Sequence, residues 1–310
     1  MGYYEQQYRN KLSLASANHA LITLVAINLI LFVVLAFMQA IFYLRFQGGG
    51  EAVARFNDTI LEWFALPADT SKLLSKPWTV FTHMFVHIGV WHVLGNMLWL
   101  WFFGYILQDL TGNRKLVPIY IYGGLFGALA FLISFNLFPG LKDSLPVATA
   151  IGASAAVMAI AAAVTTIAPG YRVLPLLNGG IPIWIITAIY LLIDLATISK
   201  SNPGGHIAHL AGALAGFLFI YFHKSGIDLG RWMNSFYDWF TNLFNPAKPK
   251  KGKEIRQQLF YKPGPKPFTK TPNITAQRID EILDKINTDG YNSLTNEEKE
   301  LLKRASKEDI

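Results

Sequence analysis

The chain has 310 residues, 52% of them hydrophobic and only 15% charged, with no cysteine and a formal net charge of +7. Ordinary soluble domains carry about 25% charged residues, and 28 of the 47 charged side chains here lie in the last 87 residues. That distribution excludes a soluble globular enzyme, a disordered chain and a disulfide or thiolate-metal framework; it implies a membrane-embedded body with a polar tail.

A bilayer-crossing helix needs roughly 20 apolar residues, because it rises ~1.5 Å per residue through a ~30 Å hydrocarbon core. Residues 20–44 hold no charge at all. They are too long for the apolar core of a signal peptide and lack a small-residue cleavage site, so they read as an uncleaved helix. Further charge-poor stretches predict helices near 90–108, 117–138, 150–168, 180–198 and 206–223, six in all. Arg9 and Lys11, Arg114 and Lys115, Arg172 and the basic tail then fall on one side. Lys and Arg favour the cytoplasmic side, which predicts both termini inside.

Polar residues inside a bilayer are expensive and mark function by default. Five of the seven histidines fall in two windows: HMFVHIGVWHVLGN, with His83, His87, His92 and Asn96, and PGGHIAHLAG, with His206 and His209. A third window, GASAAVMAIAAA, begins at Gly152 and carries a lone serine, Ser154. His92 and Asn96 are four apart and share a helix face, a donor pair suited to a developing oxyanion. His209, Gly212 and Gly216 share another face, and glycines at four-residue spacing let a second backbone approach closely. Gly152, Ala155, Ala156 and Ala159 thin the serine-bearing helix in the same way. Packed along these seams, Ser154 and His209 come within reach as nucleophile and general base. The start of the serine helix also offers a positive end to an oxyanion. His87 and His206 read as structural. Asp194 is a candidate for orienting His209, against the alternatives of snorkelling outward or bonding nearby backbone.

At these residues the chain resembles the rhomboid intramembrane serine proteases. PWTVFTHMFVHIGVWHVLGNMLWLWFFG (77–104) looks like that family's second-helix region with its His-x-x-x-Asn element. GASA (152–155) resembles its Gly-x-Ser-Gly, and HLAGALAG (209–216) its His-x-x-Gly-x-x-x-Gly. The resemblance covers about residues 15–225. It implies an all-α, six-transmembrane-helix bundle that cleaves transmembrane segments of other proteins without cofactor or metal. It implies Ser154 as nucleophile, His209 as base, and His92, Asn96 and the Ser154 amide as the oxyanion site. It also implies a Ser–His dyad with no acid, which argues against Asp194. Three departures stand out: Ala155 replaces the glycine after the serine, Met158 stands where an aromatic ring is usual, and Pro77–Trp78–Thr79 keeps only the Trp of a first-loop Trp-Arg pair.

In the tail, Trp232, Phe236, Trp239, Phe240 and Phe244 have helical spacing and suit a helix in the membrane interface. Residues 246–273 form a basic Pro/Lys-rich linker, read as touching anionic lipid rather than nucleic acid. Two short helices are predicted at about 275–287 and 296–306, with Thr295 and Glu298 at capping-box spacing. A calcium loop is rejected, because Lys285 and Asn296 would occupy its first and twelfth positions. This hairpin resembles C-terminal modules on rhomboids of Bacteroidetes-type bacteria. The expected organisation is a cytosolic segment at 1–19, a membrane domain at 20–223, an interfacial segment and linker at 224–273, and a helical cytosolic hairpin at 274–310. The location is the inner (cytoplasmic) membrane. Two competing readings are a catalytically inactive rhomboid-like binding or quality-control factor, and a metal enzyme built on His83/His87 and His206/His209. The first normally lacks the serine or histidine, and the second lacks a His-Glu-x-x-His.

Overall fold

The computed structural model describes residues 20–46, 49–174, 179–243 and 276–306. The predicted cytosolic segment at 1–19, Phe244 and the linker at 246–273 lie outside them. The chain divides into two compact units, Met1–Phe244 and Asn245–Ile310.

The first unit is built from helices, as an apolar chain in lipid must be if every backbone group is to find a partner. They are α1 (Ala20–Arg45), α2 (Gly49–Thr59), α3 (Thr70–Ser75), α4 (Thr79–Thr82), α5 (Val90–Thr111), α6 (Leu116–Leu137), α7 (Ser154–Ile167), α8 (Ile183–Thr197), α9 (Pro203–Lys224) and α10 (Arg231–Leu243). Helices α1, α5, α6 and α9 are long and apolar enough to cross a membrane, whereas α7 and α8 are apolar but shorter. The chain is an integral membrane protein of the all-α class. Each of the six predicted stretches overlaps one of these helices, and local chemistry moves the ends. Gly112, at φ 74°, stops α5. Pro182 stands immediately before α8. Asn202 caps α9 by accepting from the Gly205 N–H, with Pro203 at the first helical position, so that helix starts three residues before its predicted onset.

Helix α7 is the buried centre. Ala155 through Val164 are all buried, between α6 on one side and α9 on the other. Small residues make this possible. A methyl on Gly216 would lie 1.9 Å from the Ala159 carbonyl oxygen, and one on Gly212 would lie 2.1 Å from that of Ala155. On the α6 side, methyls on Gly123 and Gly127 would lie 2.4 Å and 2.5 Å from the Cβ atoms of Ala159 and Ala155. The methyl of Ala155 thus occupies the space left by Gly127, and the α7–α9 seam stays closed over Gly212 and Gly216. We expect Gly216→Ala to destabilise the bundle by about 1–3 kcal/mol or more, since overpacking forces backbones apart. Gly95→Ala, with open space around it, should be neutral or slightly stabilising, and detergent thermal unfolding of the two variants checks the contrast.

Polar side chains inside this unit are tied to one another. Asn28 of α1 donates to the Leu24 carbonyl (2.8 Å) and to the Tyr120 hydroxyl of α6 (3.2 Å), and Tyr120 donates to the Met84 carbonyl (2.7 Å). Between α1 and α5, Trp78 stacks on Trp63 at 5.8 Å and donates its indole N–H to the Trp63 carbonyl. Lys76 lies over the Trp63 ring and pairs with Glu62 at 2.9 Å. This loop is held without the Trp-Arg pair. Its two-residue strand β1 (Leu66–Pro67) pairs antiparallel with β2 (Thr149–Ala150), Leu66 opposite Ala150, and β3 (Arg172–Val173) pairs with β4 (Ile181–Pro182). Trp232, Phe236, Trp239 and Phe240 are exposed along α10. Trp232 donates to the Tyr122 hydroxyl (2.9 Å), and Arg114 pairs with Asp238 (3.4 Å), fixing α10 to α6 and its preceding loop.

The second unit contains α11 (Ala276–Asp289) and α12 (Asn296–Ala305), closed over Ile282, Leu294 and Leu301. Thr295 and Glu298 form the capping box at the start of α12. The Thr295 N–H and the Lys285 ammonium hold the Glu298 carboxyl well below its ordinary range, at about 2.

Candidate active site

Helix α7 begins at Ser154 because the chain before it cannot be helical. Gly152 has φ 113°, a region closed to side chains with a Cβ. The sequence suggested that Gly152 thins the serine helix; instead it lies outside that helix and brings the backbone against α5. A methyl there would sit 2.7 Å from His92 Nε2 and 3.9 Å from Asn96 Nδ2. Two histidines hold this turn. The Gly152 N–H donates to the His83 carbonyl (2.9 Å), and the Ala153 N–H donates to His87 Nε2 (3.3 Å). His83 in turn bonds the Thr79 carbonyl through Nδ1 (3.0 Å). Ser154 is left as the first helical residue, whose N–H has no acceptor within the helix and sits at its positive end.

Across the α7–α9 seam, Ser154 Oγ lies 2.6 Å from His209 Nε2. That contact depends on the seam, since Gly212 and Gly216 stand at +3 and +7 from His209 and admit the α7 backbone. His92 and Asn96 project from α5 into the same cavity of about 470 Å³, which Ser154, Gly152 and His209 also line. One Asn96 amide N–H is taken by the His92 carbonyl at 2.9 Å, leaving the other for a ligand. Ser154, His209, His92, Asn96 and Gly152 thus line one cavity, and Gly212 and Gly216 the seam beside it. The arrangement can move a proton between a hydroxyl and an imidazole next to a cluster of hydrogen-bond donors.

Asp194 departs from the sequence reading, in which the family resemblance argued against it and His206 read as structural. The Asp194 carboxylate oxygen Oδ1 lies 2.9 Å from His209 Nδ1 and 2.7 Å from His206 Nδ1. It neither snorkels outward nor bonds the backbone; it is 2% exposed. The contact comes from the hairpin rather than from spacing on one helix. Helices α8 and α9 form an antiparallel hairpin that turns near residue 200, so a side chain six residues before the turn faces one six residues after it. His209 follows one helical turn later. The ligating atoms of Asp194, His206 and His209 all lie within 4.8 Å of one another, whereas the ring nitrogens bonded at His83 and His87 are occupied by backbone groups. Met158, at the position of the usual aromatic ring, is fully buried with Ala162 and Ala213, and Tyr190 of α8 packs against them.

Residues 74–225 match the family model described as the rhomboid domain, and residues 271–308 match a family of unknown function, DUF6576. The curated proteins to which the chain is similar include the rhomboid protease GlpG of Salmonella newport (strain SL254), Salmonella heidelberg (strain SL476) and Salmonella schwarzengrund (strain CVM19633). Each is 29% identical over 104 residues, covering 28% of this chain and 37% of the relative. The chain thus spans little over a third of the length of these relatives.

Proposed function

Because residues 74–225 place the chain in the rhomboid family, we propose that it is an intramembrane serine endopeptidase that hydrolyses peptide bonds in transmembrane segments of other proteins. The observation that carries this reading is the 2.6 Å contact between Ser154 Oγ and His209 Nε2, made inside an apolar bundle where polar side chains are costly and are functional candidates by default. In the reaction, His209 takes the hydroxyl proton as Ser154 Oγ attacks the scissile carbonyl carbon. The oxyanion of the tetrahedral intermediate is met by the Ser154 N–H, His92 and Asn96. The C–N bond then breaks, His209 returns its proton to the leaving amine, and water repeats the sequence on the acyl-enzyme.

Depth follows from helix length. The 14 residues of α7 span roughly 21 Å at ~1.5 Å per residue, less than the ~30 Å core. With six crossings and both termini cytoplasmic, α7 descends from the outer side, so Ser154 lies below the outer surface at the floor of the cavity. Ser154 and His209 are both present and in contact, which disfavours the inactive binding reading. The test is a reconstituted single-span substrate with a Gly/Ala-rich, weakly helical segment. Cleavage mapped within that segment and unaffected by chelators supports the proposal. No cleavage, or cleavage confined to its soluble flanks, overturns it.

A further inference from the structure

We infer that Asp194 is a positioning residue that sets the proton of His209, so that the site operates as a Ser154–His209–Asp194 triad with His206 as a second donor to the carboxylate. The inference rests on the proteolytic reading above. Asp194 is the one charged residue in α8, a helix otherwise made of IWIITAIYLLI and LAT. A buried carboxylate in such a helix is expensive unless donors surround it. It has two donors, both imidazole Nδ1 atoms on the single oxygen Oδ1, and both from α9. Its other oxygen, Oδ2, is buried without a hydrogen-bond partner among the described residues. Such a partly satisfied carboxylate is a poor device for stability. Its donors are instead arranged for another purpose.

That purpose follows from the proton inventory. An ionised carboxylate only accepts, so each ring that bonds it carries hydrogen on Nδ1. For His209 this leaves the Nε2 lone pair facing the Ser154 hydroxyl at 2.6 Å, the tautomer that a general base needs. Without Asp194 the proton is free to sit on Nε2, where it blocks abstraction. When His209 accepts the serine proton, the new positive charge lies against a carboxylate in a medium of low dielectric. His206, through its own 2.7 Å bond, keeps Oδ1 aimed at the hairpin, and it is the Nε2 of His209, not of His206, that meets the Ser154 hydroxyl.

The test compares Asp194→Asn and Asp194→Ala with wild type in reconstituted membranes, measuring kcat and KM across pH. Besides His209, the titratable groups in or beside the cavity are His83, His87, His92, Tyr190, His206 and Asp194, while its α6 lining of Gly127, Ala128 and Phe131 has none. We expect kcat to fall by about 10² or more, toward the ~10⁴ that a wrong tautomer costs a Ser-His-Asp site, with KM changed by less than about twofold. Removing the negative charge also lowers the proton affinity of His209. The acid limb of kcat/KM in Asp194→Asn should therefore move to lower pH, a change that a packing defect does not produce. If neither variant folds, ¹⁵N-histidine spectra of wild type decide: an Nδ1–H tautomer at His209 supports the triad, and an Nε2–H tautomer overturns it. Wild-type kcat with an unmoved acid limb in Asp194→Asn overturns it. So does inactivation of wild type by a chelator, which would make Asp194, His206 and His209 metal ligands. Ser154→Ala, run in parallel, separates the outcomes. An inactive Ser154→Ala beside a fully active Asp194→Asn rejects the triad alone, whereas an active Ser154→Ala rejects the protease reading itself.

Discussion

Ser154→Ala, His209→Ala and the double variant should all fall to the same residual activity, a loss on the order of 10⁶ in turnover if the pair acts as a unit. The expectation comes from the single 2.6 Å contact joining them: a hydroxyl without its base and a base without its hydroxyl are equally inert. A fluorophosphonate probe should label wild type at Ser154 alone and fail on either single variant. Stability should barely respond in Ser154→Ala, since one lost hydrogen bond costs about 1 kcal/mol and the α7–α9 seam stays closed by Gly212 and Gly216. His209→Ala also strips a donor from the buried Asp194 carboxylate and should cost more. His206→Ala separates the two α9 histidines. It leaves the His209 contacts to Ser154 and Asp194 in place and should retain more activity than His209→Ala. The opposite order would reverse the assignment of the base, and cleavage retained in Ser154→Ala would remove the serine mechanism altogether.

The helices were legible because charge is absent from them, a property that needs no tertiary information. Their ends were less so. The start of α7 at Ser154 rather than near 150 depends on a positive φ at Gly152, and glycine permits that conformation without requiring it. The serine, the two α5 donors and the glycine seam could be read from spacing, because each lies on one face of one helix. Asp194 could not be read that way. Its partners stand on the next helix, and the family resemblance pointed away from it. Only the turn between α8 and α9 makes residues 194, 206 and 209 neighbours. Asn28 escaped notice for a similar reason: its partner Tyr120 is 92 residues away. The sequence likewise does not show where the Ala155 methyl goes, because the glycine that receives it, Gly127, stands on α6.

Asn96→Ala should lower kcat by about 10²–10³, equivalent to ~3–4 kcal/mol of transition-state stabilisation, with little change in KM. Asn96 is buried on α5 one turn below His92, and both line the cavity beside Gly152 and Ser154. One of its two amide protons is spent on the His92 carbonyl at 2.9 Å, which fixes the side chain and presents the other. A fixed donor needs no reorganisation as charge develops, and its hydrogen bond strengthens when the carbonyl oxygen becomes an oxyanion. The ground-state carbonyl gains much less, so the loss should appear in kcat. Residual activity should exceed that of Ser154→Ala, because the Ser154 N–H and His92 still face the oxyanion. His92→Ala should show the same kinetic pattern. In addition, it removes the ring packed against Gly152, so its stability should drop more than that of Asn96→Ala. Steady-state kinetics of both variants on one reconstituted transmembrane substrate decide the matter: a loss expressed wholly as raised KM would make this pair a substrate-binding element and leave the oxyanion to the Ser154 amide alone.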